Sequence, residues 1–146
     1  MRETEPAEFT RLVKRQYLLI NHNIDALLRG AGIARSQFQV LFYIKKSGQL
    51  AQSQLIAIMK IEPATVCAIT GALEQKGWIS RQTSSSDRRV KSLTLTTEGE
   101  QILYAIPNPA EAISKTMLKG FNKADKTKFE QFINQAITNL ESKKGE

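Results

Sequence analysis

The sequence WISRQTSSSDRRVKSLTL, at residues 78–95, decides the fold of this chain. In residues 90–95, apolar and polar side chains alternate with the period of a β-strand that has one buried face, and residues 78–82 form a second strand-like segment. Residues 83–87, between these segments, are polar and rich in turn formers. We therefore predict a β-hairpin of about 18 residues with a polar, basic tip.

Two short helices are predicted immediately before this hairpin. Residues 52–60 and residues 63–75 each place apolar side chains at steps of three and four, which is the spacing of one helical face. Pro63 stands where the first residue of a helix is preferred, and Lys76-Gly77 closes the second helix. Two helices joined by a tight turn form a helix-turn-helix, and the hairpin that follows makes it a winged helix.

Further amphipathic helices are predicted on both sides of the winged part. One spans about residues 7–28, and another begins near Ser36 with Phe42 among its inward-facing residues. After the hairpin, a threonine at position 96 or 97 caps a helix that Pro107-Asn108-Pro109 interrupts, because proline removes a backbone donor. Asn108-Pro109 also suits a new helix start, and the helix resumes to about Phe121. The last helix is capped near Asn122.

Positive charge is concentrated in the middle of the chain. The whole sequence has a net charge of +7, and residues 35–95 hold nine Lys or Arg against three acidic residues. A net charge of +6 between nearly neutral ends suits a polyanion such as double-stranded DNA. A well-solvated surface would give the same pattern, so charge alone leaves both interpretations open.

The predicted fold is mainly α with a small β-hairpin wing, in one domain that covers residues 1–146. The winged helix-turn-helix occupies residues 34–96, and helices at 7–30 and 97–141 flank it. The apolar stripes of those outer helices need a partner, either in a monomeric core or in a bundle shared by two chains. We favour the homodimer, which would place two winged modules about one DNA turn apart, roughly 34–36 Å.

Several other classes of protein are disfavoured by the sequence. The single cysteine, Cys67, excludes an intrachain disulfide and a CxxC zinc site and suits a reducing compartment. No apolar run approaches the roughly 20 residues of a transmembrane helix, and the N-terminus lacks the pattern of a signal peptide. We therefore expect a cytoplasmic protein without a membrane partner. A glycine-rich phosphate loop, a plausible triad and a metal cluster are all missing from the sequence, so we expect neither enzymatic activity nor a cofactor.

Five short motifs occur along the chain in a fixed order. They read QFQVL at 37–41, QSQL at 52–55, IEPATV at 61–66, LEQKGWI at 73–79 and SDRRVKSLTLTTEG at 86–99. As an ordered set they resemble the MarR family of bacterial transcriptional regulators. The last motif is the most specific, because it has the family's Asp-x-Arg tip, its Leu-x-Leu-Thr strand and a glycine shortly after.

The resemblance implies a homodimeric transcriptional regulator, of the repressor type, that binds a palindromic DNA operator. The helix at 63–75 would enter the major groove, and Arg89 would reach the adjacent minor groove with Asp87 orienting it. The terminal helices would form the dimer interface. Many relatives also bind a small phenolic or lipophilic effector between the dimer and DNA-binding regions, or sense oxidants.

The candidate DNA contacts lie in three segments of the winged part. Arg89 suits the narrow minor groove, although an ion pair with Asp87 is the simpler interpretation, and the two are compatible. Arg88 and Lys91 suit phosphates, and the residues that open the two short helices suit bases or phosphates unless they are only caps. The predicted set is Ser53, Gln54, Ala64, Thr65, Cys67, Asp87, Arg88, Arg89 and Lys91.

The recognition helix departs from the family pattern. Residues 63–75 contain no lysine or arginine, and Ala68 and Ala72 stand where many members have arginine. Either the wing supplies the affinity or DNA binding is weak. The alternative function is therefore a winged-helix protein-interaction module with weak DNA binding.

Four residues are candidates for the edge of an effector pocket. They are Tyr17, His22, Phe42 and Tyr43. Aromatic residues at helical spacing are more often plain core, and a lone histidine rarely holds a metal. Cys67 also lacks the nearby positive charge that a reactive thiolate needs, so a packing or base-facing role suits it better.

Overall fold

The computed structural model describes residues 5–83 and 86–143, and within them the chain is mainly helical with a small antiparallel sheet. The strands are β1 Leu50–Ala51, β2 Ile79–Thr83 and β3 Lys91–Leu95. The helices are α1 Glu5–Gly30, α2 Arg35–Ser47, α3 Gln52–Met59, α4 Pro63–Gln75, α5 Thr97–Ala105, α6 Pro109–Met117 and α7 Lys123–Ser142. In the described ranges, no helix is both long and apolar enough to cross a membrane.

Local sequence signals set most of the helix boundaries. Pro63 is the first residue of α4, and Gly77, just beyond its end, has a φ of +76° that suits glycine. Before α7, Asn122 and Asp125 cap each other's backbone amides at 2.8 and 3.1 Å. Helix α2 begins at Arg35, one residue before the predicted start at Ser36.

The core of the first compact unit, which ends at Pro109, lies between the helices and the sheet. Its centre is formed by Leu41 of α2, Leu55 of α3, Leu73 of α4 and Leu93 of β3, all fully buried. Burying one such side chain stabilises the fold by about 1.5–3 kcal/mol. The prediction that Phe42 faces inward is wrong: its side chain is 48% exposed, because the adjacent Leu41 takes the core position.

The sheet has three strands in the order β1-β3-β2, and every pair is antiparallel. The hairpin of β2 and β3 was predicted, whereas β1 was not. Leu50 of β1 lies opposite Leu93, and Leu93 lies opposite Arg81 of β2. This pairing ties the wing to the start of α3. The tip predicted at 83–87 includes residues 84–85, which lie outside the described residues.

A tight junction joins the end of α4, both ends of the wing and the start of α5. The Thr96 amide donates to the Trp78 carbonyl at 3.1 Å, and the Thr96 hydroxyl donates to the Gly77 carbonyl at 2.6 Å. The same hydroxyl accepts a hydrogen bond from the Gly99 amide at 3.1 Å. A Cβ atom on Gly99 would overlap the carbonyl oxygen of Trp78. Only glycine therefore fits at this point of α5.

The second unit, from Ala110, contains nearly all of α6 and the whole of α7. No residue of α7 is buried, and its exposed apolar residues recur at helical spacing. Those residues are Phe132, Ile133, Ile137 and Leu140. Helix α7 therefore presents an apolar stripe to its surroundings.

We expect Gly99→Ala to lower the free energy of unfolding by about 1–3 kcal/mol, because the new Cβ must displace a hydrogen-bonded backbone carbonyl. Urea unfolding followed by circular dichroism measures this loss. Gly71→Ala is the matched control: a Cβ there meets nothing within 4 Å, and alanine in a helix interior adds up to about 1 kcal/mol. Equal unfolding free energies for the two variants would contradict the junction described above.

Candidate nucleic-acid interface

Helix α4 has one buried face and one exposed face. Val66, Thr70 and Leu73 are fully buried against the rest of the first unit. Ala64, Thr65 and Cys67 are exposed. The exposed face near the helix start therefore holds the three side chains that the sequence predicted as base contacts. It offers methyl groups, one hydroxyl and one thiol.

Arg81 of β2 holds the wing against α4. Its Nε lies 3.2 Å from Oε2 of Glu74, an ion pair without the alignment of a hydrogen bond. Its Nη2 donates to the Thr70 hydroxyl at 3.2 Å, and that hydroxyl donates to the Cys67 carbonyl at 3.2 Å. This role of Arg81 was not predicted from the sequence. Arg81 pairs with the buried Leu93 of β3, so its side chain lies on the inner face of the sheet. A basic residue at such a position could have indicated an internal ion pair.

Helix α3 places its first turn beside α4. Ser53 and Gln54 are exposed there, as phosphate contacts would need to be. Gln54 Oε1 accepts a hydrogen bond from the Ala51 amide at 2.9 Å, which closes the helix start. Gln52 Nε2 donates to Cys67 Sγ at 2.9 Å. The two helices of the helix-turn-helix are thus linked by a side-chain contact at the predicted interface.

The wing tip is organised by Asp87. Its carboxylate Oδ1 accepts a hydrogen bond from the Arg89 amide at 2.9 Å, and its carbonyl accepts from the Val90 amide at 3.1 Å. Asp87 therefore fixes the backbone at Arg89. Among the residues that the structure describes, neither Arg89 nor Arg88 forms an ion pair with Asp87, and both side chains are exposed, as is Lys91.

Part of the basic charge of the winged part is neutralised internally. Arg35 pairs with Asp25 at 2.8 Å, and Lys45 pairs with Glu100 at 2.8 Å, besides the pair made by Arg81. Lys76 lies over the Trp78 ring, with its Nζ 4.5 Å from the ring centroid. The cations of the wing, Arg88, Arg89 and Lys91, are by contrast exposed.

The four candidate effector residues do not line the groove found in the first unit. Tyr17 is 65% exposed, His22 is exposed, and Phe42 and Tyr43 form an edge-to-face pair with ring centroids 6.2 Å apart. The groove has a volume of about 650 Å³. It is lined by Gln49, Ala51, Gln54, Gln82, Thr83, Val90 and Ser92, so it lies between the start of α3 and the wing.

Residues 33–91 match the sequence model of the MarR family. The chain is 39% identical over 69 residues to the HTH-type transcriptional repressor MdtR of Bacillus subtilis, a match that spans 47% of this chain and 44% of MdtR. Among solved structures, the C80S mutant of MarR from E. coli in complex with operator DNA matches with a TM-score of 0.70 and 19% identity, over 90% of this chain and 95% of that chain. Residues 33–91 therefore belong to the MarR family.

The fold of the chain is also similar to that of BpsR from Bordetella bronchiseptica. The two match with a TM-score of 0.68 and 20% identity, over 88% of this chain and 98% of BpsR, whose structure concerns regulation of DNA binding by 6-hydroxynicotinic acid. The MarR-family match at 33–91 contains all nine of the predicted DNA contacts. The segment that matches the family model is therefore the same part of the chain for which the sequence predicted the DNA interface.

We expect Arg81→Met to lower the free energy of unfolding by about 1–2 kcal/mol, because it removes the hydrogen bond to Thr70 and leaves Glu74 unpaired. Arg88→Met is the matched control: it makes the same change on the same hairpin at an exposed side chain, and its effect should stay within about 0.5 kcal/mol. Urea unfolding of both variants measures the difference. If Arg88→Met cost as much as Arg81→Met, Arg81 would not be the link between the wing and α4.

Proposed function

We propose that this MarR-family transcriptional regulator is a homodimeric, cytoplasmic repressor that binds a palindromic operator in double-stranded DNA. The observation that carries the proposal is the arrangement of one exposed face of α4 and an exposed basic wing tip on a single packed module. The match to MarR in complex with operator DNA and the name of the repressor MdtR support it.

Each element of the module has its own task on the DNA. Helix α4 enters the major groove, where the Thr65 hydroxyl bonds a base or phosphate and Ala64 contacts a thymine methyl. Cys67 lies on the same face. Ser53 and Gln54, in the first turn of α3, bind the phosphate backbone and fix the register of the helix on the duplex.

The wing supplies most of the electrostatic affinity. Helix α4 has no lysine or arginine, so phosphate neutralisation falls to Arg88, Arg89 and Lys91. Arg89 inserts into the minor groove, whose narrow A·T-rich stretches have an enhanced negative potential. Asp87 holds the backbone that presents the guanidinium.

The exposed apolar stripes of the terminal helices support the dimer. In the first half of α1, Phe9 and Leu12 are 64% and 58% exposed, and in α7 Leu140 is 70% exposed. Apolar surface of this extent marks an interaction site. We assign residues 34–96 to DNA binding and residues 7–30 and 97–141 to dimerisation, through a two-fold interface.

An effector is part of the proposal. The structure of BpsR concerns control of DNA binding by 6-hydroxynicotinic acid, which is a small aromatic acid. We assign to this chain a phenolic or lipophilic effector that contacts Tyr17, His22, Phe42 and Tyr43 and releases the operator. These aromatic side chains are exposed or partly exposed, so a flat ring can stack on them.

A second function is favoured by one observation, the cation-free recognition helix. A winged-helix module that binds protein would need no base contacts, and its DNA binding would be weak and unspecific. The two functions differ in one measurable property, the selection of a DNA sequence.

In vitro selection of random duplex DNA with the purified protein at near-physiological salt distinguishes them. We expect enrichment of a palindrome with half-sites about 10 base pairs apart, because a two-fold dimer places one α4 in each of two successive major grooves. Sedimentation of the same sample confirms that the protein is folded and dimeric, and a selection without protein is the control. If a folded dimer enriched no sequence, the operator-binding function would be wrong and the protein-interaction function would stand.

A further inference from the structure

Helix α1 consists of two halves with different surroundings. In its second half, Leu28 is buried and Ile24 and Leu27 pack against the core of the winged part. In its first half, large apolar side chains such as Phe9 and Tyr17 are more than 60% exposed. Helix α1 therefore presents an exposed apolar stripe in its first half, and its second half is part of the core of the winged part.

The Arg35 side chain binds α1 at the boundary between these halves. Its Nε pairs with Asp25 Oδ1 at 2.8 Å, its Nη1 donates to Asn21 Oδ1 at 2.7 Å and its Nη2 donates to the Asn21 carbonyl at 2.6 Å. The guanidinium is planar and rigid, so three contacts to one helix fix the orientation of that helix as well as its position. Arg35 is the first residue of α2, whose Val40, Leu41 and Ile44 are fully buried.

The contact acts at the base of a lever. From Asn21 to Phe9, α1 extends for about 18 Å at 1.5 Å per residue. A tilt of about 10° at Asn21 moves Phe9 by about 3 Å, which is close to the roughly 3.4 Å rise of one base pair. In a dimer held through the first half of α1, the same tilt swings the winged module by a distance of the same order.

We infer that Arg35 is a positioning residue that sets the separation of the two winged modules in the dimer, and with it the half-site spacing that the dimer accepts. The inference rests on the proposed homodimer. It assigns to Arg35 a specificity role without any contact with DNA, since the guanidinium is turned towards Asn21 and Asp25. Charge neutralisation of phosphate is therefore not its task.

The single exposed cysteine, Cys67 on α4, provides a direct measurement. A nitroxide spin label on Cys67 gives one distance across the dimer by double electron–electron resonance, without any engineered cysteine. We expect a narrow distance distribution for the wild type and a distribution at least about twofold broader for Arg35→Gln, because the lever is released. Arg29→Gln is the matched control, since it removes the same charge from an exposed residue of α1 near the same junction.

Asp25→Asn is the second variant, and it keeps the shape of the carboxylate while removing its charge. It should broaden the distribution in the same direction and to a smaller extent, so a failure of Arg35→Gln to fold would not end the test. Equal widths for the wild type and the folded variants would overturn the inference. A wild-type sample with no distance between labels would instead mean that there is no dimer, which contradicts the proposed function itself.

Operator binding gives the functional readout of the same inference. Inserting one base pair at the centre of the selected palindrome should weaken wild-type binding by about tenfold and Arg35→Gln binding by clearly less. A uniform loss of affinity at every spacing would show a merely structural role for Arg35 and contradict the inference. Arg29→Gln should keep the wild-type dependence on spacing.

Discussion

The close approach of Gly99 to the Trp78 carbonyl is the constraint on which the interface depends. At this point the chain leaves α4, passes through the wing and returns to begin α5, and the Thr96 hydroxyl bonds to both sides of the junction. Because a side chain at position 99 does not fit, the recognition helix, the wing and α5 are held in one arrangement. The threonine and the glycine of the last sequence motif therefore have a direct explanation, Thr96 in its hydrogen bonds and Gly99 in the lack of space for a side chain.

Within this arrangement, the charges are divided between contacts inside the protein and contacts open to solvent. Arg81 and Arg35 are used internally, one to fix the wing on α4 and the other to fix α1 on α2. Arg88, Arg89 and Lys91 stay exposed on the wing. Helix α4 without cations is consistent with this division. In the proposed complex, its small exposed side chains would approach the base edges closely while the wing would provide the attraction to phosphate.

The sequence predicted those features that depend on neighbouring residues. Pro63, Gly77 and Asn122 set helix ends through local backbone chemistry, and each lies where the sequence indicated. Features that depend on distant pairing were missed. Strand β1 has only two residues and exists because Leu50 pairs with Leu93, and the Arg35 contact joins residues 10 and 14 positions apart. The functions assigned to Arg89 and to the effector residues are predictions still, because they concern molecules beyond the chain.

The most direct test of the central claim, that the wing supplies the affinity, is the salt dependence of DNA binding by Arg89→Ala. The account predicts that the slope of log K against log salt falls by about one and that affinity falls by a similar factor for the operator and for unrelated duplexes. Arg29→Ala, which removes an exposed arginine from α1, should leave both unchanged. An Arg89→Ala variant with the wild-type slope and affinity would contradict the account, and the source of the attraction would then have to lie outside the wing tip.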